Sequence, residues 1–514
     1  MSKPIIIIGA GLAGLSAALQ AAENGCNVKL VSSLPSERAQ SVMAEGGINA
    51  ALNTKDENDS PEEHFTDTIK AACGLADPNA VWGMTQAAPE LVHWLLKLGV
   101  KFNMSGYDDV DLRNFGGQKK KRTAFAQSDT GKQIMTAMID AVRRKEASGM
   151  VERFSHHSFL TLRLCGNICC GCVIRDEYSQ ETVELPGDAV IVATGGMHGL
   201  FGNTTGSLSN TGEVTAELFR LGVPLANGEM IQYHPTTVKC GGKRMLISEA
   251  ARGEGGRLFA MKDGKQWYFM EEKYPELGNL MPRDITAREI WKVSHESEVF
   301  LDMTEISEEI ISNKLSGLAD DCMTYLHKDI RKEPVSVLPG IHYFMGGILV
   351  DEQHRTPIQN LYAAGECCAQ YHGANRLGGN SLLGALYGGR VAAKSACEQA
   401  DVVDLSCATQ IDFPPASQIS EIKQLNKVMQ ETMGVVRNEN TLLNGIQTVQ
   451  ALTGNLPLLG MAVLKSALAR KESRGAHWRE DYPKSNDNDY LKTTVARFDG
   501  KQIQISFVPV PERR

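Results

Sequence analysis

Three glycines near the start of the chain are the first residues whose type and spacing predict chemistry. Gly9, Gly11 and Gly14 form a Gly-x-Gly-x-x-Gly pattern, which follows the apolar run 5–8 and precedes the helical pattern 15–24. Glycine at these positions permits a tight turn, a close backbone approach to a pyrophosphate, and close packing of the helix on the strand. The N-terminus of that helix directs unpaired N–H groups and its dipole towards phosphates. The pattern predicts a dinucleotide-binding site.

The end of the second strand bears on which dinucleotide binds. An acidic residue that binds a ribose usually stands there, but this chain has Ser32 and Ser33. A hydroxyl group can still hydrogen-bond a ribose, yet ordinary NAD binding is disfavoured. A further glycine pair, Gly46 and Gly47, lets the backbone pass close to a flat ring system. FAD fits better than NAD, because one large cofactor could contact all of these glycine turns.

The elements that must position this cofactor are widely separated in the sequence. Besides the strand at 5–8, apolar strands are predicted at 189–193 and 361–364, and each is followed by a glycine-containing turn. Continuous apolar runs are typical of parallel strands that are covered on both faces. We therefore predict an α/β fold: a Rossmann-like FAD-binding domain with an inserted α+β capping domain and a C-terminal helical domain.

Changes in the pattern suggest where the domains begin and end. After about residue 415 the pattern becomes helical, with helices expected at 419–432, 441–453 and 459–471. The predicted domains are a discontinuous FAD-binding domain at 1–234 and 343–410, a capping and substrate domain at 235–342, and a C-terminal helical domain at 411–514.

The composition is that of a globular protein. The 514 residues are 42% hydrophobic and 22% charged. Their net charge of −8 opposes non-specific binding to nucleic acid. No apolar run approaches the roughly eighteen residues that cross a bilayer, and the first residues do not resemble a signal peptide. We therefore expect a cytoplasmic protein with no nucleic-acid partner and no transmembrane segment of its own.

One cysteine cluster raises the question of a metal site. Cys165, Cys169, Cys170 and Cys172 have a C-x3-C-C-x-C spacing, which matches neither a zinc ribbon nor a ferredoxin run. The β-branched residues beside them favour a pair of strands with reduced thiols. We expect no metal ion here.

Eight further motifs occur in a fixed order along the chain. They are AEGGI at 44–48, ATGG at 193–196, QYHPT at 232–236, SEAARGEGG at 248–256, PRD at 282–284, HYFMGG at 342–347, GEC at 365–367 and HGANRLGGNSL at 372–382. This order, which continues to ESRGAHWREDYP at 472–483, resembles the fumarate reductase/succinate dehydrogenase flavoprotein family, which includes L-aspartate oxidase. The resemblance implies an FAD-dependent oxidoreductase that reduces fumarate to succinate or runs the reverse reaction.

The resemblance also implies how the substrate is bound. Fumarate carries two carboxylates, so its site needs cationic or hydrogen-bonding groups at both ends. Arg376 and His342 resemble the family's clamp on one carboxylate, and His234 and Ser248 resemble the partners of the other. Arginine suits this role because its planar guanidinium makes paired hydrogen bonds to a carboxylate.

By the same resemblance, Arg283 is the proton donor that completes hydride transfer from FAD N5. An arginine in free solution is a poor acid, since its pKa exceeds roughly 12. The family solves this with a relay, and Glu249 and Arg252 match its positions. They lie three residues apart, so they can share one face of a helix.

Each of these residues also has a simpler interpretation. His234 could be a core histidine with its hydrogen bonds satisfied, and Arg283 could form a plain ion pair with Asp284 at a helix N-terminus. The joint occurrence of the motifs in order favours the catalytic interpretation.

The resemblance assigns the cofactor contacts as well. Glu213 ends a Thr-Gly-Glu sequence where the family has Thr-Gly-Asp, and the longer acid can reach the same partner. The predicted FAD contacts are Gly9, Gly11, Leu12, Ala13, Gly14, Ser32, Ser33, Ala44, Gly46, Gly47, Ala193, Thr194, Gly195, Glu213, Glu366, Ser381 and Leu382.

Two positions discriminate between members of the family. Gln40 occupies the position, six residues before the Gly-Gly pair, where covalently flavinylated members have histidine. FAD is therefore expected to be non-covalent, which favours fumarate reduction over succinate oxidation. Phe115 stands where L-aspartate oxidase has an acid to pair the substrate ammonium. A buried ammonium without a carboxylate would be costly, so a dicarboxylate without an amine is favoured.

The source of electrons must lie outside the chain. The sequence has no haem-attachment motif, no ferredoxin-type cluster motif and no second dinucleotide fingerprint. The resemblance implies an iron–sulfur protein partner, which would hold the protein peripherally at the inner face of a membrane, although a small soluble reductant would also serve. L-aspartate oxidase and a non-catalytic flavin-binding subunit remain alternative functions.

Overall fold

The computed structural model describes residues 4–106, 109–399, 413 and 418–514. The strands are β1 (Ile5–Ile8), β2 (Val28–Ser32), β3 (Ile48–Asn49), β4 (Leu112–Arg113), β5 (Thr123–Ala124), β6 (Val151–Ser155), β7 (His157–Cys165), β8 (Ile168–Asp176), β9 (Thr182–Pro186), β10 (Ala189–Val192), β11 (Leu225–Ala226), β12 (Ile231–Cys240), β13 (Lys243–Leu246), β14 (Arg257–Lys262), β15 (Lys265–Trp267), β16 (Val299–Asp302), β17 (Val335–Ser336), β18 (Leu338–Phe344), β19 (Gly347–Leu349), β20 (Leu361–Ala363), β21 (Cys368–Ala369), β22 (Lys492–Phe498) and β23 (Ile503–Pro509). The helices are α1 (Leu12–Glu23), α2 (Pro61–Ala71), α3 (Pro78–Leu98), α4 (Thr130–Ala147), α5 (Glu213–Arg220), α6 (Glu249–Gly253), α7 (Phe269–Lys273), α8 (Arg283–Val293), α9 (Glu308–Lys314), α10 (Ser316–Asp321), α11 (Asn380–Gln399), α12 (Ile419–Thr432), α13 (Glu439–Val449), α14 (Asn455–Ala469) and α15 (Asp487–Tyr490).

A five-stranded sheet in the order β20–β10–β1–β2–β6 is the centre of the nucleotide-binding part. All four strand pairs are parallel. Ile7 faces a core that includes Leu15 of α1 and Leu383 of α11. Ile6 faces a second core, which includes Leu162 of β7. Because both faces are covered, the strand can be apolar throughout, and the predicted α/β class is confirmed.

The segment predicted as the capping domain has a hydrophobic core of its own. This core runs from Ile247 to Val337, and Phe115 also packs into it. Its sheet has the order β15–β14–β16–β17. The paired strands β12 and β18 cross the predicted limits at 235 and 342, so these limits fall inside continuous strands and stay a prediction.

The C-terminal segment combines helices with a β-hairpin. Helices α12, α13 and α14 form where the helical pattern predicted them, and they pack around Leu425, Leu442 and Leu459. The hairpin β22–β23 was not predicted. It extends a mixed sheet in the order β21–β19–β11–β22–β23, and therefore joins the end of the chain to the nucleotide-binding part. The predicted boundary between residues 410 and 411 lies outside the described residues.

The cysteine cluster lies on the antiparallel pair β7–β8, as expected. Cys169, Cys170 and Cys172 are buried thiols outside any disulfide, whereas Cys165 is disulfide-bonded, which corrects the expectation that all four thiols are reduced. Within the described residues, no three His, Cys, Asp or Glu side chains are grouped so as to hold a metal ion. In the same part of the chain, no helix has both the length and the apolar character that crossing a bilayer requires.

Candidate active site

One large cavity brings the predicted site residues together. Its volume is about 910 Å³, and it opens where β1, β2 and β10 end. Every predicted cofactor and substrate residue except Gly14 lines it, and so does every predicted catalytic residue except Arg252. Gln40 lines it as well. A crevice beyond the carboxyl ends of parallel strands is where doubly wound sheets bind their ligands.

The glycine turn between β1 and α1 has the shape that a pyrophosphate requires. Gly9 has a φ of +112°, and a Cβ atom there would overlap the carbonyl oxygen of Ala193. A Cβ atom on Gly14 would overlap the carbonyl oxygen of Gly9. On Gly11, by contrast, it would meet nothing nearer than Ser41 Oγ at 3.5 Å. The first and third glycines therefore allow the turn to pack, and the second leaves room for an anion at the helix N-terminus.

Other parts of the cavity fit the remaining parts of FAD. Ser32 Oγ, at the end of β2, is buried and has no hydrogen-bond partner among the described residues, so it is available to a ribose hydroxyl. The ring of Phe115 forms an apolar wall on which two glycines pack closely, since a Cβ atom on Gly46 or Gly378 would lie 2.9 or 3.0 Å from it. A hydroxyl group, an anion-binding turn and a flat apolar wall together match the chemistry of this cofactor.

Glu366, a predicted cofactor contact, lies in a buried polar pair. Its Oε1 accepts a hydrogen bond of 3.1 Å from the Phe344 N–H group and lies 3.7 Å from His198 Nε2. Burial raises the pKa of Glu366 to about 7 and lowers the pKa of His198 to about 4. The histidine is therefore neutral at physiological pH, and the carboxyl group titrates there.

The pairing of β12 with β18 creates the predicted substrate cluster. It brings the rings of His234 and His342 to a centroid distance of 5.2 Å. Arg376 enters from the loop before α11 and stacks 4.2 Å over the ring of Tyr343. Burial and the nearby Arg283 guanidinium hold the pKa of both histidines well below the ordinary value, so both rings are neutral. The same two causes lower the pKa of Arg376 to about 9.

The three predicted catalytic residues form a continuous buried chain. Glu249 Oε2 accepts hydrogen bonds from Arg283 Nε at 2.8 Å and from Arg283 Nη2 at 2.6 Å. Its Oε1 lies 3.4 Å from Arg252 Nη2, one turn further along α6. Burial by itself would raise the pKa of Glu249, but the two guanidinium groups lower it below the ordinary value. The carboxylate is therefore ionised between two arginines.

A buried amide network orients this chain. Gln232 Oε1 accepts a hydrogen bond of 3.1 Å from Arg283 Nη1, and Gln232 Nε2 donates to Asn375 Oδ1 at 3.0 Å and to the carbonyl oxygen of Arg376 at 2.9 Å. Asp284 Oδ1 accepts from Asn375 Nδ2 at 3.1 Å. The simpler interpretation of an Arg283–Asp284 ion pair is therefore wrong, because the guanidinium is bound to Glu249.

Ser248 begins the short helix that carries this carboxylate. Its Oγ accepts a hydrogen bond of 3.4 Å from the Ala250 N–H group, so it caps α6, and it also lines the cavity. Glu249 and Arg252 are both buried within the short helix that this cap begins.

Glu45, Thr205 and Arg244 are among the cavity residues that the sequence motifs do not identify. Glu45 lies in the AEGGI motif, but the sequence argument for that motif rests on its two glycines and not on its acid. Burial and the nearby carboxylate of Asp321 together raise the pKa of Glu45 to about 8. Thr205 contacts His342, and Arg244 bonds the backbone of β12 and of β18. No local pattern marks Thr205, because its partners Ile341 and His342 are distant in sequence.

Comparison with known proteins agrees with this geometry. Residues 4–382 match the family described as FAD binding domain, and residues 452–513 match the family described as Fumarate reductase flavoprotein C-term. The protein is therefore an FAD-dependent oxidoreductase. It belongs to the fumarate reductase/succinate dehydrogenase flavoprotein family.

Similar proteins cover the chain from end to end. It is 38% identical to the succinate dehydrogenase flavoprotein subunit of Bacillus subtilis, over 99% of this chain and 98% of the relative. It is 32% identical to the 8-methylmenaquinol:fumarate reductase flavoprotein subunit of Wolinella succinogenes, over 100% and 92%. A solved structure of a mutant E. coli quinol fumarate reductase FrdA superposes with a TM-score of 0.90 at 27% identity, covering 99% of this chain and 97% of that one.

Proposed function

We propose that this flavoprotein reduces fumarate to succinate as the flavin-bearing component of an electron-transfer complex. The observation that carries the proposal is the buried Arg283–Glu249–Arg252 chain, whose first member lines the same cavity as His234, His342 and Arg376. An acid that can be resupplied with protons, beside groups that bind carboxylates, is the arrangement that this reaction requires.

Binding and polarisation of the substrate are the first task. Arg376 and His342 bind one carboxylate, and His234 and Ser248 bind the other. Bound FAD supplies the hydride in this direction. Negative charge grows on the substrate as hydride arrives, and a fixed guanidinium in a buried site stabilises that charge more than it stabilises the ground state. The neutral histidines donate hydrogen bonds without adding like charge beside Arg283.

Proton delivery is the second task, and we assign it to Arg283. Its guanidinium is held at two nitrogens by Glu249, which fixes its direction. After Arg283 gives up a proton, Arg252 on the other side of the ionised Glu249 carboxylate can pass one to that carboxylate, which then hands it on to Arg283. Each step moves a proton along an existing contact.

FAD is proposed to be held without a covalent bond, because Gln40 offers no imidazole to the flavin. Denaturing the purified protein is therefore expected to release all of its flavin into the supernatant, where it is measured by absorbance after the chain is precipitated. Yellow colour remaining on the precipitated chain would overturn this assignment and weaken the proposed preference for fumarate reduction.

Electrons are proposed to come from an iron–sulfur protein partner. The chain would then lie on the cytoplasmic side of a membrane and reach it only through that partner. Co-purification of the full-length protein under native conditions tests this, since an iron-containing companion is expected to elute with the flavin.

The wall formed by Phe115 argues against L-aspartate oxidase. Its ring is buried at 2% exposure and packs on Gly46 and Gly378, so it offers an amino group neither a carboxylate nor a water-filled space. A non-catalytic flavin-binding subunit is disfavoured, because the chain retains the acid, its relay and both pairs of carboxylate-binding residues.

One steady-state comparison separates the three functions. The purified protein is given reduced viologen with fumarate, and separately aspartate with oxygen. Oxidation of viologen only when fumarate is present supports the proposed function. Hydrogen peroxide and iminoaspartate from aspartate would support the oxidase, and bound FAD without turnover in either assay would support the non-catalytic subunit.

A further inference from the structure

Thr205 contacts the substrate cluster from a loop that lies over β18. Its N–H group donates a hydrogen bond of 3.0 Å to the carbonyl oxygen of Ile341, which fixes the loop to the strand. Its Oγ1 lies 2.8 Å from Nδ1 of His342, the next residue of the strand. Both side chains line the cavity. The threonine is therefore a direct neighbour of a proposed carboxylate ligand.

The protonation state of the His342 ring determines what this contact with Thr205 does. Burial, together with the guanidinium groups of Arg283 and Arg376, holds the pKa of His342 well below its ordinary value. A neutral imidazole has one N–H donor and one bare nitrogen. Because Nδ1 faces Thr205, Nε2 is the nitrogen left for a ligand. Nε2 can bind a substrate carboxylate only if it carries the ring proton, since a bare nitrogen would repel the carboxylate oxygens.

The hydroxyl group of Thr205 has a single proton and two acceptors within reach. One is His342 Nδ1 at 2.8 Å, and the other is the carbonyl oxygen of Ile341 at 3.4 Å. The shorter contact is a normal O–H···N distance, and the longer one is near the limit of a hydrogen bond. Donation to Nδ1 is favoured, and it leaves the ring proton on Nε2.

We propose that Thr205 is a positioning residue that fixes the tautomer of His342, so that Nε2–H points to a substrate carboxylate. The inference rests on the proposed dicarboxylate chemistry of this cavity and adds a residue through which its affinity is set. When an imidazole binds a metal through one nitrogen, the group that hydrogen-bonds its other nitrogen fixes the tautomer in the same way.

A Thr205→Val variant tests the proposal, because valine keeps the branched shape and removes the hydroxyl. Malonate, a dicarboxylate that cannot be reduced, is titrated into the FAD-loaded full-length protein, and binding is followed by the flavin absorbance. We expect the Kd for malonate and the KM for fumarate each to rise about tenfold, as for the loss of one hydrogen bond to a charged group, while kcat falls less. Thr205→Ser is expected to stay within about twofold of the wild type.

The same substitution in a His342→Ala protein distinguishes a positioning role of Thr205 from a general loss of structure. In a His342→Ala protein, Thr205→Val should change the malonate Kd no further, because the threonine acts only through that ring. Three results would each overturn the proposal. Thr205→Val could bind malonate as tightly as the wild type, or Thr205→Val and Thr205→Ser could lose malonate affinity equally. In the His342→Ala background, Thr205→Val could weaken malonate binding as much as it does in the wild type. Failure of wild-type protein to bind malonate would overturn it too, and absence of fumarate turnover despite malonate binding would overturn only the proposed function.

Discussion

An Arg283→Ala variant is expected to lose fumarate turnover by about a thousandfold or more while it keeps its FAD, as is typical when a general acid is removed. The guanidinium is the only predicted catalytic group that lines the cavity and is bound to the Glu249 carboxylate. Without it, the hydride step has no proton donor. Viologen oxidation with saturating fumarate measures the loss, and the flavin-to-protein ratio shows that the cofactor is retained.

Two further arginine variants make this result specific. Arg283→Lys keeps the charge, but a lysine ammonium is a point donor that cannot bind Glu249 through two nitrogens, so little activity should return. Arg288 provides the matched control. It lies on the same helix, stacks 4.0 Å over the ring of Trp478 and does not line the cavity. Arg288→Ala should therefore keep normal turnover, and near-normal turnover in Arg283→Ala would show that another group donates the proton.

The nucleotide-binding core could be predicted because its signals are local. Apolar strands such as Ile5–Ile8 must be buried on both faces, and the glycines that follow them are required by backbone contacts within the same turn. The class of fold and the identity of the cofactor followed from these short stretches. The resemblance then supplied the distant residues, such as Arg283 and Arg376, which no local pattern could have joined.

The remaining features depend on contacts between distant residues. Strand β22 is a mixed stretch of polar and apolar residues in the sequence, and it forms a strand because it pairs along its length with β23 and at its centre with β11. In the sequence Thr205 is an ordinary loop threonine, and only the folded structure shows that it bonds β18. Strands β12 and β18 run through the predicted limits of the capping domain at 235 and 342, and no local pattern indicates this. Those strands must be continuous, because they hold His234 and His342 at a fixed spacing.

Loss of Arg470 is expected to destabilise the protein strongly. It is fully buried, and all five of its N–H groups have acceptors. Nε donates to Glu229 Oε1 at 2.7 Å, and the two terminal nitrogens donate at 2.7 or 2.8 Å to one carboxylate, one hydroxyl and two carbonyl oxygens. These acceptors belong to the nucleotide-binding part, to the segment after α14 and to β22, so one guanidinium joins three stretches of chain.

An Arg470→Met variant is expected to lower the free energy of unfolding by about 3–5 kcal/mol, as is typical when one member of a buried ion pair is removed. The cost comes from the Glu229 carboxylate, whose remaining side-chain hydrogen bond among the described residues is the one from the Thr494 hydroxyl. Glu472 is less affected, because Arg474 binds both of its oxygens. Urea denaturation of the FAD-loaded protein, followed by circular dichroism, measures the change.

Two comparisons show whether burial of an unpaired charge is the cause. Adding Glu229→Gln to Arg470→Met removes the orphaned charge, and it should recover part of the lost stability. Arg143 pairs with Glu37 at 2.6 Å, but both side chains are more than half exposed. Arg143→Ala should therefore cost no more than about 1 kcal/mol, because water solvates the separated charges. Two results would mean that Arg470 stabilises the protein by packing alone. The free energy of unfolding could fall equally in Arg470→Met and Arg143→Ala, or Glu229→Gln could recover none of the stability lost in Arg470→Met.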